Sequence, residues 1–243
     1  MEHNFFLPLV MSGNQQSKGV ALAAPYITDV SNLKCSWYYN WSPQGNDGDG
    51  FTFVPMCWAG NETPSRTKGY VLFLNEPENR SQSNVTPKKA IDYLKNLKFS
   101  RPNMKVIAGG CGYFGRDWLI EFKDLVARNG IEISGYHIHF YEEDWVGFNE
   151  VTEYAQFVID NFDGELWVTE FADVRGVDTM RLVEWILSQP RLTRYALFAN
   201  RIDVKQPWYP SNWPKPTKMN LIDENGYLTS LGSEYREVGE GVI

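Results

Sequence analysis

The chain has 243 residues, of which 43% are apolar, 22% charged and 15% aromatic, with nine Trp, thirteen Tyr and fourteen Phe. This composition excludes a disordered or fibrous protein, and the length is ample for a single large core. The net charge of −7, with 23 basic against 30 acidic residues and no local Lys/Arg cluster, argues against nucleic acid, and no apolar run approaches the ~20 residues of a membrane span.

Residues 1–17 read as an irregular N-terminal segment. Its apolar run is broken by Pro8 and has no basic flank, so it does not resemble a signal peptide. Apolar, β-branched or aromatic runs bounded by turn residues then recur as candidate strands. They are Gly19–Ala23, Cys35–Tyr39, Thr52–Met56, Tyr70–Leu74, Lys105–Ala108, Gly135–His139, Leu166–Thr169 and Arg194–Ala199. Thr86-Pro87 opens a helix with a capping residue and a Pro at its first position, and Ala90, Ile91, Leu94 and Leu97 form its apolar stripe. A second helix runs from about Asp117 to Asn129-Gly130, with Leu119, Ile120, Phe122, Leu125 and Val126 inward. Further helices are expected near Glu150–Phe162, Asp178–Ser188 and Ser230–Val238. The Ser42–Gly50 link and the segment from Trp58 to Lys68 lack helical periodicity. Eight strands at about thirty residues each predict one compact α/β domain over 1–243, a (β/α)8 barrel with reduced helices in its first half. A doubly wound sheet is the alternative. Cys35, Cys57 and Cys111 fit no zinc spacing and are expected to be buried small hydrophobes.

In such a barrel the chemistry sits at the C-terminal strand ends. Glu76 ends the fourth candidate strand in Val71-Leu-Phe-Leu-Asn-Glu-Pro77, and Glu170 ends the seventh in Leu166-Trp-Val-Thr-Glu-Phe171. An acid set directly against a hydrophobic strand costs desolvation, so two of them at corresponding ends suggest a working pair.

Around these acids the chain resembles glycoside hydrolase family 128, the clan A small-barrel β-1,3-glucanases that include alkali-sensitive-linkage-type wall proteins. The matching segments are Trp37-Tyr-Tyr-Asn-Trp41, Val54-Pro-Met-Cys-Trp58, Leu74-Asn-Glu-Pro-Glu78, His139-Phe-Tyr141, Trp167-Val-Thr-Glu-Phe-Ala172, Arg194-Tyr-Ala-Leu-Phe198 and Leu221 to Tyr235. They occur in order over residues 18 to 236. One departure is the fifth strand's ending, Ile107-Ala-Gly-Gly-Cys111, where a more polar or Pro-containing run is expected.

The resemblance implies a retaining hydrolase with Glu76 as general acid/base and Glu170 as nucleophile, acting without a cofactor. Retention requires the two carboxyls about 5–5.5 Å apart. Asn75, beside the acid, is expected to bond a sugar hydroxyl, and Asn40 and Trp41, closing the first matching segment, to meet the substrate. On the sixth candidate strand His137, His139 and Tyr141 share one face. His139 and Tyr141 are expected to orient the nucleophile or touch sugar, and His137, a layer deeper, to be a core residue. A metal held by His137 and His139 is the rival, short of further ligands because the remaining histidine is His3. Glu142, Glu143 and Asp144 read as a solvated acidic loop. Trp118 and Trp185 belong to helix cores, and Trp167, counted by alternation, packs under a helix. Trp41, Trp58, Trp145, Trp208 and Trp213 fall in loops on the catalytic side, where flat rings suit the apolar faces of sugars.

The expectation is therefore a monomeric, extracellular or wall-associated endo-β-1,3-glucanase. The alternatives are a non-catalytic glucan-binding protein on the same barrel and a clan A glycosidase of another linkage.

Overall fold

The computed structural model describes residues 16–239 apart from residue 216. Nine strands form one sheet: β1 (Ser17–Ala21), β2 (Trp37–Tyr39), β3 (Thr52–Phe53), β4 (Met56–Cys57), β5 (Gly69–Phe73), β6 (Met104–Cys111), β7 (Gly135–Glu142), β8 (Glu165–Asp173) and β9 (Leu192–Phe198). All neighbours pair in parallel, in the order β3-β2-β1-β9-β8-β7-β6-β5-β4. The two outermost strands, β3 and β4, are separated in sequence only by Val54 and Pro55. One stave therefore meets both edges and closes the barrel. The sequence run Thr52–Met56, expected as one strand, is two because Pro55 has no N–H for the ladder. On one side Val54 N–H donates to the Tyr38 carbonyl (2.9 Å), and on the other Leu72 N–H donates to the Pro55 carbonyl (2.9 Å). Ser17, expected in the irregular segment, already belongs to β1, and residues 1–15 lie outside the described part.

Helices α1 (Thr28–Asn32), α2 (Pro87–Ser100), α3 (Arg116–Arg128), α4 (Phe148–Asn161), α5 (Thr179–Leu187) and α6 (Ser230–Glu237) complete the fold. The short α1 gave no periodic signal. At α2 the Thr86 hydroxyl accepts from Lys89 N–H, and Asp178 does the same for Arg181 at α5. On α3 the buried face is Trp118, Leu119, Phe122 and Val126, whereas Ile120, expected inward, is exposed. Between β2 and β3 a loop replaces the helix, and Tyr38, Phe51 and Phe53 cover the sheet by edge and tilted ring contacts.

The core has two layers set by strand alternation. Val71, Phe73, Ile138, Phe140 and Val168 pack outward with the helices. Trp37, Tyr39, Leu72, Ile107 and Trp167 fill the barrel interior. Trp167 is a correction, because it lies inside the barrel and not under a helix. Between β7 and β8 the register runs Ile138 opposite Val168 and then His139 opposite Glu170, so Thr169 is bulged out of the ladder. The extra residue shifts the parity, and Trp167 and Glu170 both point inward. All three cysteines are buried and free, as expected, and burial pushes the Cys35 and Cys57 thiols up to about 12.

Candidate active site

After β5 the backbone enters the left-handed region twice, at Leu74 (φ 77°) and Glu76 (φ 42°). Such conformations are uncommon for residues with a Cβ and collect at functional sites. Two hydrogen bonds hold the turn: Asn75 N–H donates to Trp58 O (3.0 Å), and Glu76 N–H to Gly110 O (2.8 Å). Gly110 lies at a bulge in β6 with φ 63°. A Cβ there would stand 2.7 Å from the His137 ring and 2.8 Å from Leu74 O. The unexpected Gly-Gly ending of this strand is thus what allows β6 to close against the Glu76 turn.

Glu170 faces this turn from β8. Its Oε1 accepts from Trp41 Nε1 at 2.7 Å and lies 3.0 Å from the Tyr39 hydroxyl, while Oε2 accepts from the Tyr141 hydroxyl at 2.6 Å. The donors come from β2, the residue-41 turn (φ 57°) and β7, so three chain segments fix one carboxylate. Burial first, and then the Glu170 charge, push the Tyr39 and Tyr141 hydroxyls well above their ordinary range, which keeps them as donors.

His139 stands between the acids, its Nδ1 3.3 Å from Glu76 Oε1 and 3.4 Å from Glu170 Oε2. That nitrogen and one oxygen of each acid lie within 4.8 Å of one another. Burial opposes charge on His139, but the Glu170 carboxylate, followed by the Glu76 hydrogen bond, outweighs it and holds the imidazole above its usual range. Glu76 is the more open acid, with 17% of its side chain exposed against 7% for Glu170. Asn79 Nδ2 donates to the outer Glu76 oxygen at 3.1 Å.

His137 and His139, the pair of the rival metal reading, turn to different partners. His137 Nδ1 is 2.8 Å from the Thr169 hydroxyl, and burial, then His139, pull its pKa well below the ordinary value. Among the described residues the group with cation-ligand spacing is Glu76, His139 and Glu170. Both Glu170 oxygens already accept hydrogen bonds from protein donors.

The remaining candidates divide. Phe198 is the hub of one aromatic wall, with Trp41 at 5.7 Å, Tyr141 at 5.6 Å, Trp213 at 6.1 Å and Trp208 at 6.4 Å. Trp213 Nε1 also donates to Glu143 (3.1 Å), and Trp208 stands half exposed at the edge. Trp145 is stacked on Phe114. Trp58 packs partly buried against the barrel interior and has no hydrogen bond to either acid. Asn40 serves its own loop, accepting from Ser42 N–H and donating to Gln44 O. Asn75 is buried beside the acid, its Nδ2 donating to Gln82 and its Oδ1 without a protein partner.

Glu142, expected in a solvated loop, is buried at the end of β7 and accepts from Arg175 and Arg181, each at 2.8 Å. Arg175 also donates to Asp173 at the end of β8 (2.9 Å). Sequence reasoning passed over Tyr39, Phe198, Asn79, Glu78 and Phe114. Tyr39 sits at a strand end one alternation from the interior Trp37, a signal that was present. Phe114 sits within a glycine-bounded turn and has no periodicity to mark it.

A family model described as glycosyl hydrolase catalytic core matches residues 19–235. No curated protein matches the chain by sequence. Among solved structures, the chain is similar to a GH128 subgroup I endo-β-1,3-glucanase from Amycolatopsis mediterranei in complex with laminaritriose, with TM-score 0.72, 21% identity, and 93% of this chain and 100% of that chain covered. A subgroup II endo-β-1,3-glucanase from Sorangium cellulosum gives TM-score 0.71 at 21% identity, covering 93% and 100%. A subgroup VI exo-β-1,3-glucanase from Aureobasidium namibiae gives 0.70 at 18%, covering 91% and 96%. At these identities the likeness is one of fold.

Proposed function

Since the chain belongs to the glycosyl hydrolase catalytic-core family, we propose that it is a retaining endo-β-1,3-glucanase with Glu170 as nucleophile and Glu76 as general acid/base. The observation that carries this is the pair itself. One oxygen from each acid lies within 4.8 Å of the other, in keeping with the spacing of about 5–5.5 Å between carboxyls for retention. Glu170 attacks the anomeric carbon as Glu76 gives its proton to the departing oxygen. Glu76 then takes a proton from water, which releases the sugar from Glu170. Trp41 and Tyr141 aim Glu170, with the Tyr39 hydroxyl shared between it and the Thr169 carbonyl, and the greater exposure of Glu76 suits a group that must meet the leaving oxygen and then water.

Asn75, Trp41, Tyr141, Trp208 and Trp213 are assigned to the sugar, with the Phe198 wall offering flat faces to the ring. The solved relative from Amycolatopsis mediterranei binds laminaritriose, and a neutral glucan is indifferent to a protein charge of −7. A polymer of this kind does not cross a bilayer, so the site of action is placed outside the cell. Reducing-sugar release from β-1,3-glucan, with NMR of the first anomer formed, tests the assignment. Retained configuration is expected, and Glu76→Gln and Glu170→Gln are each expected to abolish turnover. An inverted first product, or normal activity in either variant, would overturn it. Binding without release by the unaltered chain would make it a glucan-binding module.

A further inference from the structure

We infer that Phe114 and Trp145 form the sugar platform on the leaving-group side of the scissile bond, and that this platform sets the enzyme's demand for chain length beyond the cut. The inference rests on Glu76 being the acid. An acid must stand beside the oxygen it protonates, so the departing part of the chain lies on the Glu76 side and the part retained on Glu170 lies on the other.

The structure divides its aromatics along that line. The Phe198 wall reaches Glu170 through Trp41 and Tyr141, which both donate to it, with Trp208 and Trp213 further out on Phe198, and Tyr141 marks the boundary with the acid's side. Phe114 and Trp145 instead share a hollow of about 430 Å³ with Glu76, Glu78, His139 and Tyr141, which Glu170 does not line. Their rings lie 5.4 Å apart and within 8° of parallel. They are also among the most exposed large apolar side chains, at 71% and 60%. Scattered exposed rings are ordinary, but two aligned rings in the acid's own hollow form a surface with a use.

Both rings occupy the same place in a tight turn. Phe114 is third in Gly112–Gly115, where Gly115 N–H donates to Gly112 O at 2.9 Å. Trp145 is third in Glu143–Val146, closed by Glu143 N–H to Val146 O at 2.8 Å and by the return bond at 3.3 Å. The first turn is buttressed by Tyr113, which packs edge-on to Phe114 and to the buried Tyr154. It is also tied to the acid's segment, because Glu78 Oε1 accepts from Gly112 N–H at 2.6 Å. The platform is therefore held at a fixed place relative to Glu76. Stacked flat rings of this kind fit the apolar face of a pyranose, here the sugars that leave with the reducing-end fragment.

The test compares laminarihexaose, which needs the platform, with an aryl β-laminarioside, whose nitrophenol leaves without it. Trp145→Ala and Phe114→Ala are expected to lower kcat/KM roughly fivefold to tenfold more on the hexaose than on the aryl substrate. The loss should be carried mainly by KM, and Trp145→Phe should recover most of it. Transfer from the glycosyl-enzyme to added laminaribiose, relative to water, should fall by a similar factor. Equal losses on both substrates, or none, would overturn the inference while leaving the glucanase assignment standing. Failure of the unaltered enzyme on both substrates would overturn the assignment itself.

Discussion

His139 is nearly equidistant from an oxygen of each acid, at 3.3 and 3.4 Å, and offers both the same nitrogen. In the resting enzyme the proposed cycle leaves the negative charge on Glu170; in the glycosyl-enzyme it leaves the charge on Glu76. A single N–H between them follows the charge without moving, which makes His139 a positioning residue for both half-reactions. Removing a hydrogen bond to a charged group costs about 1.5–3 kcal/mol, so His139→Gln is expected to lower kcat/KM roughly 10- to 150-fold. The residue also carries a pH signature. Its folded pKa is raised, so its stabilisation is complete below the unfolded value near 6.5 and is lost as pH rises through the folded one. Thermal melts should show wild type exceeding His139→Gln by more at about pH 6 than at about pH 9. The same margin at both would refute a charged His139 in the fold.

At the scale of elements, the strand ends were legible where alternation and turn chemistry agree, and illegible where a strand gains a residue. Glu76 and Glu170 stood out because an acid directly after an apolar run is costly. The Thr169 bulge could not be seen, since a period of two has no mark for an inserted residue, and Trp167 was placed on the wrong face for that reason alone. Gly109-Gly110 looked like a departure from pattern and is the β6 bulge that accepts the Glu76 turn. Glu142 was misjudged because its arginine partners lie 33 and 39 residues away. That knot ties β7, which carries His139 and Tyr141, to the end of β8. The two arginine side chains are 32% and 43% exposed and can be resolvated. Glu142→Ala should therefore cost about 2 kcal/mol, less than the roughly 3–5 of a fully buried pair. Urea unfolding at neutral pH measures this, and an unchanged midpoint would show that the knot does not hold the strands.

The whole molecule is a barrel with unequal halves, which the uneven helices already suggested. β6, β7, β8 and β9 run for eight, eight, nine and seven residues, whereas β2, β3 and β4 have three, two and two. The short strands form the seam at Pro55, covered by loops and by Tyr38, Phe51 and Phe53 in place of a helix. Glu170 and His139 stand on the long side, while Glu76 follows β5, whose neighbour across the ladder is the seam strand β4. Few ladder bonds guard that join, so local opening should begin there. Native-state hydrogen exchange is expected to find the cross-seam amides of Val54 and Leu72 at least about a hundredfold less protected than those of Ile138 and Val168. An occupied cleft touches both acids and so spans the two halves. A bound laminari-oligosaccharide should therefore slow exchange at Leu72 and Leu74 more than in β7 and β8. Uniform protection without sugar, or uniform slowing with it, would show that the barrel opens as one unit and that the seam has no part in holding the acids at their working distance.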